Sequence, residues 1–175
     1  MVGEEAHVGS SITLIKSDTA IVIADPGMTP DRNVIIKALD KTGVTLESVA
    51  HIFISRHPPD HTTNLGIFPN AKLVDYNSIY ENDLWLDHDG NYEIAPGIKV
   101  MATPGHTEED SSLFIQTPEG LFVITHAWWH EDMTPEIDPY AEDQSILKES
   151  RLHILKHTDW IIPGHGKLFK NQHKK

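Results

Sequence analysis

The 175-residue chain contains no cysteine. That excludes a disulfide framework and a thiolate metal site, so any metal must be held by imidazole and carboxylate. Nowhere do 18 apolar residues run together, which argues against a membrane span. Basic residues are scarce: 14 Lys and Arg stand against 26 Asp and Glu, a formal net charge of −12. Neutralising phosphates calls for a basic patch, and no basic run is present, so nucleic acid is a disfavoured partner. Lys167, Lys170, Lys174 and Lys175 read as a solvated end. There is no glycine-rich phosphate loop to support a dinucleotide-binding fold, and no internal repeat. Residues 1–5 lack the basic start and apolar core of a signal peptide, so a cytoplasmic location is expected.

What the chain has is β-rich patterning and twelve histidines. Residues 11–16 and 19–24, rich in Ile, Val and Thr around Ser17-Asp18, predict a hairpin. A helix is expected from Thr29 as N-cap, with Pro30 in its first turn, to Gly43. Its apolar residues Val34, Ile35, Ala38 and Leu39 form one stripe. Further strands are predicted at 50–54, 71–75 and 98–102, and a hairpin at 112–116 and 121–125. Residues 77–91 read as polar and irregular, with Trp85 as an anchor, and 130–140 as a loop. A second helix is expected over 142–157, turning Ile146, Leu147, Ile154 and Leu155 inward, before a last strand at 160–162. The order predicts a layered α/β protein, one domain over 1–175.

Several of these strands run into polar motifs. Ser55-Arg56-His57-Pro58-Pro59-Asp60-His61 follows the strand at 50–54. Pro104-Gly105-His106-Thr107, Thr125-His126-Ala127 and Pro163-Gly164-His165-Gly166 each follow an apolar run. Together they resemble the metal-binding loops of the metallo-β-lactamase superfamily, over nearly the whole chain. Asn64-Leu65-Gly66-Ile67-Phe68-Pro69 and Glu149-Ser150-Arg151 add a likeness to its short members of the metallo-β-lactamase domain-containing protein 1 type. The resemblance implies an αββα sandwich with loops gathered along one sheet edge.

It also implies seven ligand positions, which fall here at Arg56, Pro58, Asp60, His61, His106, His126 and His165. The first loop of the family reads His-x-His-x-Asp-His, and Arg56 and Pro58 replace its two leading histidines. Arginine offers no lone pair and proline no side-chain donor, so of the first ion's triad only His106 remains. Asp60, His61 and His165, the implied ligands of a second ion, are all present. His126 stands where a bridging aspartate is usual and suits a fourth ligand on one ion. His57 either partly restores the first site with His106, or is a loop histidine paired with a carboxylate. Arg56 either places a fixed charge where the first ion would lie, pairing Asp60 or clamping an anion, or is a surface residue. His7, His51, His88, His153, His157 and His173 read as surface or hydrogen-bonded residues; His130 is open.

Two function classes follow. One is a metallo-hydrolase with about one ion, Zn or else Fe or Mn, cleaving a small-molecule ester, lactone, thioester, amide or phosphodiester. Asp60 and Arg56 would act in catalysis, and Trp128, with Trp129, would wall the substrate or else pack in the core. The other is a non-catalytic scaffold of the same fold that binds a ligand or partner.

Overall fold

The computed structural model describes residues 7–174. The signal-peptide reading of residues 1–5 and the reading of Lys175 lie outside them. Twelve strands form two six-stranded sheets. The first runs β1 (Thr13–Lys16), β2 (Ile21–Ala24), β3 (His51–Phe53), β4 (Lys72–Val74), β5 (Ser78–Glu81) and β6 (Leu84–Asp87), in that spatial order. The second contains β7 (Asn91–Ala95), β8 (Ile98–Ala102), β9 (Ser111–Thr117), β10 (Gly120–Thr125), β11 (Trp160–Pro163) and β12 (Phe169–Lys170), with spatial order reversed along the chain.

Period-two alternation makes three apolar layers from these strands. Val22, Ala24 and Phe53 face Val100, Leu113 and Ile124 between the sheets. The intervening Ile23, Ile52 and Ile54 point outward, under Ile35 and Leu39 of α1 (Asn33–Asp40). On the other sheet Phe114, Val123 and Ile161 meet Leu147 and Ile154 of α3 (Gln144–His157). Each such aliphatic side chain, fully buried, is worth about 1.5–3 kcal/mol. The result is the expected αββα sandwich. Among the described residues no helix is long and apolar enough to cross a membrane.

Some expectations needed correction. Residues 77–91 are not irregular: β5 and β6 form a hairpin whose turn uses Asn82 at φ +57°, and β7 begins at Asn91. Trp85 is no anchor, being 66% exposed; its indole donates to Ser78 Oγ at 2.8 Å and stacks on Tyr80. This hairpin is held by backbone pairing more than by burial, so its hydrophobic pattern was weak. The first helix starts at Asn33, where Asp31 Oδ1 accepts the Asn33 amide, and Val34 and Ala38 stay exposed. The second starts at Gln144, capped by Asp143, which accepts from the Ser145 and Ile146 amides. That register leaves Ile146 40% exposed.

Strands β2, β3 and β4 are mutually parallel, as are β10 and β11. Their carboxyl ends therefore open onto one edge, where loops of open α/β sheets carry their ligands. Two motif glycines tighten that edge. Gly105, at φ +132°, lies where a Cβ would collide with the Leu147 backbone of α3, and Ser150 Oγ donates to Pro104 O at 2.8 Å. A Cβ on Gly164 would come within 2.5 Å of the His126 ring. Each Pro-Gly-His motif thus needs glycine for close approach.

Candidate metal centre

After β3 the chain turns into the one-turn helix α2 (Pro59–Thr62), with Pro58 extended at φ −57°, ψ 154° and Pro59 in the first turn. The turn sets Asp60 beside His61, which is fully buried. Asp25, at the end of β2, fixes the His61 ring from behind. Its carboxylate lies 3.1 Å from His61 Nδ1 and accepts the Ser55 amide at 2.8 Å and the Ser55 hydroxyl at 2.7 Å. A carboxylate behind Nδ1 leaves Nε2 as the donor atom that faces inward. That Nε2 is buried without a hydrogen-bond partner; Asp60 Oδ2, 3.3 Å away, is at ion-pair distance only. An orphaned buried nitrogen is costly, and a bound cation would satisfy it.

His126 follows β10 and His165 follows β11. The segment at residues 9–11 straps the His165 loop in place. Ser11 N donates to Gly164 O at 2.7 Å, Ser11 Oγ donates to Gly166 O at 2.8 Å, and His165 Nδ1 lies 3.2 Å from Gly9 O. With Nδ1 turned to a carbonyl, His165 Nε2 faces the centre, 3.0 Å from His126 Nε2 and 3.7 Å from Asp60 Oδ2. Donor atoms of His61, His126 and His165 all lie within 4.8 Å of one another. Two nitrogens on a tetrahedral ion with bonds of about 2.0–2.1 Å sit about 3.3 Å apart, so this donor set fits a divalent cation.

The other half of the edge is built differently. Arg56 Nη1 lies 2.8 Å from His106 Nε2 and 3.0 Å from His126 Nε2. His106 is held from behind by Asp138, Nδ1 to Oδ2 at 2.7 Å. Asp138 is itself buried, and accepts from Trp129 Nε1 at 3.0 Å and the Tyr140 amide at 2.9 Å. A guanidinium nitrogen thus lies between His106 and His126, the two family ligand positions on that side that keep an imidazole.

The charges differ across the site. Burial disfavours a charged His61, but the carboxylates of Asp25 and Asp60 beside its two ring nitrogens outweigh it and raise its pKa to about 9. Burial pushes Asp60 up, yet His61 and Arg56 overcome this and hold it below the usual carboxylate value. Burial, then the charges of Arg56 and the neighbouring histidines, keeps His126 well below the ordinary histidine value. His165 is lowered too, chiefly by burial, against the Gly9 carbonyl.

A cavity of about 530 Å³ opens over these groups, lined by Arg56, Asp60, His106, His126 and His165, with Trp129 and Tyr140 as its aromatic wall. The two rings stack with centroids 5.6 Å apart. The structure chooses between alternatives that the sequence left open at three residues. His57 does not join His106: Pro58 and Pro59 fix the chain so that Nδ1 meets Glu109 Oε2 at 2.5 Å and Nε2 meets Asp75 Oδ2 at 3.1 Å. Arg56 forms no ion pair with Asp60 among the described residues; it meets imidazoles. Trp128 packs with the α3 layer and under Arg151, 5.7 Å from its ring, while Trp129 takes the cavity wall. Asp25, Asp138 and Tyr140 went unrecognised in the sequence. Asp25 carried one signal, an Asp-Pro-Gly ending a buried strand.

No protein-family model matches the chain. It is 30% identical over 176 residues to metallo-beta-lactamase domain-containing protein 1 of Xenopus laevis, covering 96% of this chain and 75% of that protein. It is 28% identical over 149 residues to an N-acyl homoserine lactonase of Bacillus thuringiensis, covering 75% of this chain and 59% of the lactonase. Among solved structures, one from Thermotoga maritima assigned to the metallo-beta-lactamases superposes with a TM-score of 0.74 at 16% identity, covering 97% of this chain and 93% of that one. An N-acyl homoserine lactone hydrolase, with N-hexanoyl-L-homoserine at its catalytic metal centre, superposes with a TM-score of 0.66 at 21% identity, covering 87% and 79%. With the motif loops on one sheet edge and this relatedness across the full sandwich, the chain belongs to the metallo-beta-lactamase superfamily, as a relative of metallo-beta-lactamase domain-containing protein 1.

Proposed function

We propose that the protein is a hydrolase working with one divalent ion, zinc or else iron or manganese, on a small-molecule ester, lactone, thioester, amide or phosphodiester. His61, His126 and His165 would hold the ion, with Asp60 beside them. The observation that carries this reading is the convergence of the His61, His126 and His165 donor atoms within 4.8 Å, beside an Arg56 Nη1 that lies 2.8 Å from His106 Nε2, the nitrogen a second ion would need.

A divalent ion on such a donor set supplies Lewis acidity, activating water near neutral pH and polarising a carbonyl or phosphoryl oxygen. The remaining work falls to the chain. Asp60, kept ionised, accepts a proton at Oδ2 from the attacking water. Arg56 holds a fixed positive charge against the cavity, where an oxyanion develops. Asp138 keeps both His106 and Trp129 in place, and Trp129 with Tyr140 excludes water from the bound substrate.

The net charge of −12 favours an uncharged small molecule over a polyanion. Likeness to a lactonase makes lactones the first class to assay. A cytoplasmic site of action goes with this reading. Protein purified without an affinity tag is expected to carry about one such ion per chain, and a chelator should remove both ion and hydrolysis. Elemental analysis that finds no stoichiometric metal, even after reconstitution, would leave the ligand-binding scaffold as the better account.

A further inference from the structure

We propose that His153 and His157, on the outer face of α3, form a separate surface site for a first-row divalent cation such as Ni2+ or Cu2+. The two residues are four apart on a helix, so their side chains rise from one stripe. Both are exposed, and their ring centroids lie 4.5 Å apart with planes inclined by 42°. His157 Nδ1 donates to the His153 carbonyl at 2.8 Å, which fixes the tautomer and leaves Nε2 as a free donor atom. The His153 ring stands edge-on to Phe114, with centroids 6.3 Å apart and planes at 78°, so its orientation is set by packing as well. Both rings are therefore ordered before any ion arrives.

The chemistry selects the ligand. Paired imidazoles suit Cu2+, Ni2+ and Zn2+, with Cu2+ held most tightly. Water would fill the remaining positions, since the face is open. Glu149, one turn earlier on the same stripe, adds favourable negative charge, while Lys156 works against it. Burial, with the charges of His157 and Lys156, lowers the His153 pKa, which helps keep that imidazole unprotonated and able to coordinate. None of these residues lines the edge cavity. The chain would thus bind ions in two classes, strongly at the sheet edge and more weakly on α3.

The test is a Ni2+ titration of the 15N-labelled, untagged full chain, followed by amide NMR. Line broadening is expected to centre on residues 153–157. His153→Ala or His157→Ala should each raise the midpoint by about tenfold or more, because a chelate becomes a single imidazole. His165→Ala should leave this midpoint within about twofold, whether or not the edge centre proves to hold a metal. Broadening confined to the edge loops, or a midpoint unmoved by both α3 variants, would overturn the proposal.

Discussion

On one side of the sheet edge Asp60, His61 and His165 keep donor atoms, and the two imidazoles are each held from behind, by Asp25 and by the Gly9 carbonyl. On the other, Arg56 and Pro58 stand where two imidazoles would be. The arrangement around them is no less ordered: Asp138 braces His106, and Arg56 Nη1 meets both His106 and His126. A site abandoned without replacement would leave His106 facing solvent. Here a fixed single charge meets the same imidazoles, which points to a rebuilt half rather than a decayed one. The two halves teach that ligand loss and loss of order are separate events.

The sharpest way to break this comparison is on the ligand-bearing side. His165→Ala removes one of three convergent imidazoles from a loop that backbone and Ser11 contacts hold independently of the ring. Metal retention should be abolished, measured by elemental analysis after dialysis, while the melting temperature without metal stays close to that of the parent. Full metal content in this variant would show that the ion binds elsewhere.

The opposite half can be rebuilt. The double variant Arg56→His/Pro58→His supplies the two missing imidazoles while removing the guanidinium that meets His106 and His126. Metal content is expected to rise from about one ion per chain to about two. Content that stays at one would show that more than these two side chains excludes the first ion.

How much of this was legible beforehand depended on what each residue answers to. The strands at 50–54, 112–116 and 121–125 were readable because both faces are buried, giving near-continuous apolar runs. Ile79 in β5 shares the inter-sheet core, but its partner strand β6 lies beyond the sandwich, with Leu84, Trp85 and Leu86 all more than half exposed. Such a hairpin follows backbone pairing, which composition hardly records. At the site, the imidazoles announced themselves through motif spacing. Their supports did not. Asp25 and Asp138 act across 36 and 32 residues of chain, and a single sequence carries no mark of which carboxylate will stand behind which histidine. The choice between Trp128 and Trp129 turned on the path of the loop after β10, which adjacent identical residues conceal.

A smaller effect tests the strap that seats His165. Ser11→Ala removes the hydroxyl bond to Gly166 O but keeps the amide bond to Gly164 O. Partners of this outer kind are typically worth about 10–100-fold in metal affinity, and losing one of two contacts should cost near the lower end, about tenfold. Competition with a chromophoric chelator would measure it. An unchanged affinity would mean that the Gly9 carbonyl and chain packing alone orient the ring.

The least effect is expected at His57, the residue that could have repaired the first half and instead bridges two carboxylates. Its hydrogen bond to Asp75, helped by Glu109 and opposed by partial burial, raises its pKa from 6.5 to about 9. A folded-state pKa above the unfolded value means that the charged form stabilises the fold. That contribution is fully present below about pH 6.5 and is lost as pH rises through about 9. The side chain is 38% exposed, so solvent screening cuts the gain to about 1 kcal/mol or less. His57→Gln should therefore lower the urea midpoint at pH 6 and leave it nearly unchanged at pH 10. A midpoint difference that is the same at both pH values would show that His57 contributes by packing, and that the loop carrying Arg56 is held by Pro58 and Pro59 without help from charge.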